Sequence, residues 1–291
     1  MNILEKVAKD GLLLDGGMGS MLIARGLQGG EAAESWNVTK PEIIAEVHQA
    51  YYDAGADVAT ANAFGGSAMK LAQMKVEHSM EDVNRAAVRI ARQVCKPGQY
   101  VAGDIGTLGE MLAPMGPLKP EEAEAAFKDQ AAILEEEGVD FFMIETIFDL
   151  NLALAAIRAV KSVSAKPVFC TMTFKETAKG FFTIMGNAPE ASMKALVDEG
   201  ASAVGANCSM GSDTMVTLAG QIRDSVDCPV VIQPNAGMPQ TGENNTVFYP
   251  ESEDFFAGNI KQIKDLGVEI VGGCCGTNPD YIRRVKELIR G

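Results

Sequence analysis

Eight short apolar runs alternating with amphipathic stretches predict an α/β chain folded as a (β/α)8 TIM barrel. Two observations carry that expectation. First, four segments share one grammar: DAGADVATAN (53–62), EEGVDFFMIE (136–145), DEGASAVGAN (198–207) and DLGVEIVGGC (265–274). Each runs from an acidic residue through a glycine into a short apolar stretch, which reads as a helix closing on a glycine and passing at once into a buried strand. Second, four more apolar runs interleave with them: GLLLD (11–15), QYVAGDIG (99–106), KPVFCTMTF (166–174) and CPVVIQPN (228–235).

Taken in order, 11–15 is the first strand, and PEIIAEVHQAYYDAG (41–55) is a helix by its apolar spacing of three to four. Strands at 53–62, 99–106 and 136–145 follow, with EEAEAAFKDQAAILEEEG (121–138) as the helix before the fourth. The fifth to eighth strands fall at 166–174, 198–207, 228–235 and 265–274. Near-continuous apolar strands suit a sheet covered on both faces. Eight such units in 291 residues fit a barrel, whose usual size is about 250. An open doubly wound sheet is the alternative, but its first turn usually reads G-x-G-x-x-G, and DGGMGSML departs from that. No linker-like stretch divides residues 1–291, so one domain is expected.

Composition narrows the function classes. Net charge is −14, which disfavours nucleic acid and anionic membrane surfaces as partners. The N-terminus carries no signal-peptide core, and no apolar run reaches the ~18 residues of a membrane span. A cytoplasmic protein with reduced thiols is expected, so six cysteines point to metal, catalysis or core packing rather than a disulfide framework. His48 and His78 lie on helical stretches and are expected at the surface. The methionines of GEMLAPMGP are expected in core or loop packing.

Barrel sites form at the C-terminal ends of the strands. That places Asp15, Asn62, Asp104, Glu145, Thr171 or Thr173, Asn207, Cys208, Pro234, Asn235, Cys274 and Cys275 around the mouth. Cys208 ends the sixth strand, while Cys274 and Cys275 end the eighth inside a glycine turn, with only the seventh strand between. Three thiolates could there converge on one Zn2+ and leave its fourth position open. Such a site is a poor Lewis acid toward water and a good place to hold a substrate thiol as its thiolate, which implies group transfer onto sulfur. Core packing remains the alternative for every cysteine, and it suits Cys95, Cys170 and Cys228 best.

The runs LLLDGGMGSML, DVATANAFGGSAMKL, VAGDIGTLGEML, IETIFDLNLALAAI, GANCSMG, QPNAGMPQ and VGGCCGTNPDYI resemble, in order, the motifs of the homocysteine S-methyltransferase family. The likeness is strongest to the homocysteine-binding barrel of cobalamin-dependent methionine synthase. It implies that Cys208, Cys274 and Cys275 are the zinc ligands and catalytic centre. Asp15 and Gly16 would hold the amino-acid end of homocysteine, Glu145 its ammonium, with Asn62 and Asn235 in supporting loops. On residue evidence alone Asp15 could be a helix cap, Glu145 a rim ion pair and Asn235 a turn former. Thr107 stands where the family more often has proline. The chain ends after the barrel, without folate, cobalamin or activation modules, so a separate methyl donor is expected.

Two enzymatic readings follow. In the first, homocysteine becomes methionine with the methyl group from a separate methyl-corrinoid protein, a small donor such as S-methylmethionine being the variant. The alternative is a methyltransferase component of a multi-subunit corrinoid system that demethylates another substrate and methylates cobalamin. Asp15 and Glu145 favour an amino-acid ligand and so the first. A binding module without catalysis is a third reading, against which three intact cysteines count.

Overall fold

The computed structural model describes residues 2–242 and 247–291. Twelve strands are present among them: β1 (Leu12–Leu13), β2 (Val58–Thr60), β3 (Tyr100–Ile105), β4 (Phe141–Ile147), β5 (Val168–Met172), β6 (Lys175–Thr177), β7 (Gly180–Phe182), β8 (Ala203–Gly211), β9 (Val230–Asn235), β10 (Gln240–Thr241), β11 (Val247–Phe248) and β12 (Ile270–Val271). Eight of them form one sheet in the order β1-β12-β9-β8-β5-β4-β3-β2, with every ladder parallel. Each falls within one of the eight apolar runs, except that β4 and β8 extend a few residues further.

The ladders leave one seam, between β1 and β2, and one main-chain bond and two carboxylates close it. Asp57 N–H donates to the Leu13 carbonyl at 2.7 Å, and the Asp57 carboxylate accepts from Leu13 N–H at 2.8 Å. At the other end of the seam, both Asp15 carboxylate oxygens accept from Thr60, from its N–H at 2.7 Å and its hydroxyl at 2.8 Å. The outcome is a closed (β/α)8 barrel.

The helices are α1 (Ile3–Asp10), α2 (Met18–Ile23), α3 (Trp36–Thr39), α4 (Pro41–Ala54), α5 (Ala68–Gln73), α6 (Met80–Val94), α7 (Pro120–Glu136), α8 (Leu150–Val163), α9 (Pro189–Glu199), α10 (Ser212–Ser225), α11 (Glu253–Asp265) and α12 (Pro279–Arg290). The glycine stops act as expected: α4 and α9 end on left-handed Gly55 and Gly200, both at φ 109°. Alternate strand residues divide two cores. Leu12, Val58, Phe141, Phe169, Val231 and Ile270 fill the barrel, joined by Ile3 and Val7 of α1, which stoppers its N-terminal end. Leu13, Val101, Ile144, Cys170, Val204 and Ile232 face outward into the helix-lined core.

Two expectations need correction. His48 is fully buried, because it shares the inner face of α4 with Ile44, Val47 and Tyr51. His78 lies in a bend between α5 and α6 rather than on a helix. In GEMLAPMGP, Leu112 is buried, whereas Met115 is exposed on the rim. Two antiparallel hairpins, β6–β7 and β10–β11, decorate the loops after β5 and β9 on the C-terminal face. No helix among the described residues is long and apolar enough to cross a membrane.

Candidate metal centre and substrate cavity

Two irregular strands build the site. Between β8 and β9 the register slips from Asn207 opposite Gln233 to Gly211 opposite Asn235, so extra β8 residues bulge out. Cys208 and Ser209 occupy that bulge at φ 60° and 64°. Between β4 and β5 the register slips between Ile144 and Ile147, which frees Glu145 and Thr146. A bulge bends its strand and redirects side chains. These two turn Cys208 and Glu145 toward the same space.

The turn after β12 is tied down through its backbone. Gly273 N–H donates to the Asp15 carbonyl at 3.0 Å and Cys274 N–H to the Pro234 carbonyl at 2.8 Å. The Thr277 hydroxyl donates to the Cys274 carbonyl at 2.7 Å. Glycine is needed at 273, where a Cβ would lie 2.4 Å from the Thr277 hydroxyl oxygen.

With those constraints the sulfurs of Cys208, Cys274 and Cys275 all lie within 4.8 Å of one another, and Cys208 and Cys275 are 3.9 Å apart. Tetrahedral zinc with Zn–S bonds of about 2.3 Å requires sulfurs about 3.8 Å apart, so this donor set fits a zinc ion. As bare thiols the cluster shares its protons unequally. Hydrogen bonds from Cys274 and Cys275 pull the Cys208 thiol down to about 3. The reciprocal interaction pushes Cys275 up to about 11 and Cys274 well above the usual thiol range. Three sulfurs this close, with Cys208 made the most acidic by its neighbours, suit a thiophilic cation.

The sulfurs form one wall of a cavity of about 350 Å³, whose other walls include Asp15, Asn62, Asp104 and Glu145. Gly16 to Ser20 also line it, and α2 begins there without a side-chain cap. The first N–H groups of a helix lack intrahelical acceptors, so an anion is favoured at this corner.

The acidic side chains of the same cavity suit a cation. Burial pushes Asp15 up to about 7. Burial, then the charges of Asp15 and Cys208, push Glu145 up to about 8. Burial, with Glu145, Asp15 and Glu34 nearby, raises Asp104 well above the carboxylate range. Asp104 Oδ1 is buried with no hydrogen-bond partner, and no ion pair reaches Asp15, Asp104 or Glu145 among the described residues. A compact cationic group entering this corner would meet three acidic side chains with unused acceptor capacity.

The remaining mouth residues have distinct placements. Asp15 does not cap α2; its carboxylate staples the barrel seam while facing the cavity. The Asn62 amide donates to Ala33 O and Asn37 Oδ1, holding the 33–37 segment over the mouth. Asn235 ends β9 beside Cys208, buried, and its Oδ1 has no hydrogen-bond partner among the described residues. Cys170 faces the helical core, and Cys95 and Cys228 pack against it. Asp104 stood among the strand-end residues, but nothing in its neighbours marked it as an orphaned acceptor. Glu34, which accepts from Gly65 N–H at 2.6 Å, sits in a single 3-10 turn, Ala33–Ser35, too short to carry a readable pattern.

Comparisons with known proteins agree with this architecture. The chain is 28% identical to the methionine synthase of Mycobacterium leprae over 99% of its own length, and spans about a quarter (25%) of that relative. The metallated form of the homocysteine methyltransferase MmuM from Escherichia coli superposes with a TM-score of 0.81 at 23% identity, covering 98% of both chains. Its apo form gives 0.74 at 24% identity, again over 98% of both. These structural likenesses establish the shared fold. A sequence profile of the homocysteine S-methyltransferase family matches residues 12–289. The chain therefore belongs to the homocysteine S-methyltransferase family.

Proposed function

We propose that this chain methylates homocysteine to methionine, with Cys208, Cys274 and Cys275 holding a catalytic Zn2+. The observation that carries the reading is that one cavity holds three clustered sulfurs and three acidic side chains, one of them with a buried oxygen lacking a partner. A short amino acid bearing a thiol spans both. When bound, zinc supplies a fourth position that keeps a substrate thiol ionised at neutral pH.

The chain's own residues supply the rest. Glu145 and Asp104 take the substrate ammonium, and arrival of that cation turns them into carboxylates with release of protons. Asp15 completes the acidic corner while remaining tied to Thr60. The uncapped N–H groups at the start of α2, beside Gly16, receive the substrate carboxylate. Asn62 keeps the 33–37 segment over the mouth, and Asn235 supports Cys208.

For the methyl donor we favour a separate methyl-corrinoid protein, in a cytoplasmic setting where thiols stay reduced. The support is an apolar rim: Met115, Ile184 and Met238, on loops of the C-terminal face, and Phe255, in the first turn of α11, are all half or more exposed. Exposed apolar surface of this kind marks contact with another macromolecule more often than a small polar donor. The acidic corner favours an amino-acid acceptor over the demethylating alternative.

The test is an assay of purified, zinc-loaded protein with homocysteine and methylcobalamin, methyltetrahydrofolate or S-methylmethionine. Methionine from the cobalamin donor is expected. No methionine from any donor, with demethylation of an unrelated methyl compound instead, would reverse the reading.

A further inference from the structure

Asn207 immediately precedes Cys208, yet its side chain serves a different sulfur. Its Oδ1 accepts from Thr146 N–H at 2.9 Å and from the Thr171 hydroxyl at 2.8 Å. Its Nδ2 donates to the Thr146 hydroxyl at 2.7 Å and reaches Cys274 Sγ at 3.8 Å. All four hydrogen-bonding positions of the amide are thereby used. The orientation is forced. A backbone N–H can only donate, so the amide oxygen must face Thr146, and an N–H is left pointing at the sulfur.

Thr146 makes this possible at a cost. It sits at φ 61°, a region a β-branched residue rarely adopts, within the β4 bulge that also carries Glu145. The strain brings its N–H and hydroxyl onto the same amide. A continuous link therefore runs from the acidic corner, through Thr146 and Asn207, to Cys274.

Cys275 has a polar neighbour of its own from a different part of the chain. The Tyr249 ring lies against Gly276, where a Cβ would come within 2.2 Å of the ring's Cγ. Gly276 has φ 84°, so that position both turns the chain and makes room for the ring. The ring thus lies beside Cys275, close enough for its hydroxyl to feel the charge of that sulfur.

We propose that Asn207 and Tyr249 are positioning residues for the sulfur cluster, Asn207 donating to Cys274 and Tyr249 to Cys275. Each orients one of two neighbouring sulfurs whose glycine turn would otherwise leave them free to rotate. Each also withdraws charge from its sulfur, which limits the excess negative charge of a three-thiolate centre. Such outer partners of metal ligands typically govern affinity by about 10–100-fold. The inference rests on the metal-centre reading above.

The test uses the full chain loaded with Co2+ as a spectroscopic substitute, and zinc affinity by chelator competition. The variants are Asn207→Asp, which keeps the shape but removes the N–H, and Tyr249→Phe, which removes only the hydroxyl. Loss of a donor raises the energy of the sulfur electrons, so the sulfur-to-cobalt absorption should move to longer wavelength in both. Zinc should bind about 10–100-fold more weakly in Asn207→Asp. Wild-type spectra and affinities in both variants would overturn the inference. If Asn207→Asp does not fold, the Tyr249→Phe spectrum decides alone. Absence of a sulfur-to-cobalt band in the wild type would instead defeat the metal-centre reading itself.

Discussion

His48 is fully buried, and neither imidazole nitrogen has a hydrogen-bond partner among the described residues. Burial alone lowers its pKa from 6.5 to about 4. A neutral ring is therefore required by the fold. The unfolded chain takes up a proton near pH 6.5 and the folded chain only near pH 4, so stability held above pH 6.5 is lost as pH falls through that window. The loss amounts to about 3 kcal/mol. His48→Leu should remove this component and be at least as stable as wild type at pH 7, as measured by urea unfolding from pH 7 to 4. An unchanged acid-side slope would refute it. Glu145 has the opposite sign. Its pKa is raised from 4.5 to about 8, so the folded state holds the proton longer, and stability present below pH 4.5 is lost as pH rises through 8. Glu145→Gln should lose its share of that slope, leaving the parts due to Asp15 and Asp104, and be more stable than wild type at pH 8. It should also raise the KM for homocysteine by about 10–100-fold, the value of a charged hydrogen bond. Equal KM values would remove Glu145 from the ammonium site.

The barrel's weakest join is the β1–β2 seam, where two carboxylates replace a ladder. Asp57 accepts from Leu13 N–H and pairs with Arg290 of α12, so the last helix is fastened to the first join. Asp57→Ala would leave a buried N–H and a guanidinium without partners, at a cost of about 2 kcal/mol. Unfolding should show that loss with zinc content unchanged; a stability equal to wild type would mean the seam closes without it. The eight strands were legible because strands covered on both faces are continuous apolar runs, and because glycines mark where the preceding helices stop. The hairpins were not. Lys175–Thr177 and Gln240–Thr241 are short, polar and exposed, so they carry no alternation to read. His48 was misplaced for a related reason: residue type suggested the surface, while its position three and four residues from Tyr51 and Ile44 placed it inside.

Across the whole molecule, the site exists because topology gathers distant residues at one mouth. Cysteine spacing alone indicated no metal site; the barrel order made Cys208 a neighbour of Cys274 and Cys275. The barrel order put Asp104 at the mouth without showing its role, and Glu34 and Tyr249 could not be placed that way. What distinguishes them is an unpaired oxygen, a loop folded over the rim and a ring resting on a glycine, all properties of the assembled molecule. The same mouth holds sulfurs and carboxylates, for one ligand to join. Zinc-edge X-ray absorption of the metal-loaded protein, with and without homocysteine, measures that directly. Three sulfur neighbours at about 2.3 Å should become four on adding homocysteine. A sulfur count that stays the same, or a zinc shell built from oxygen and nitrogen, would contradict it.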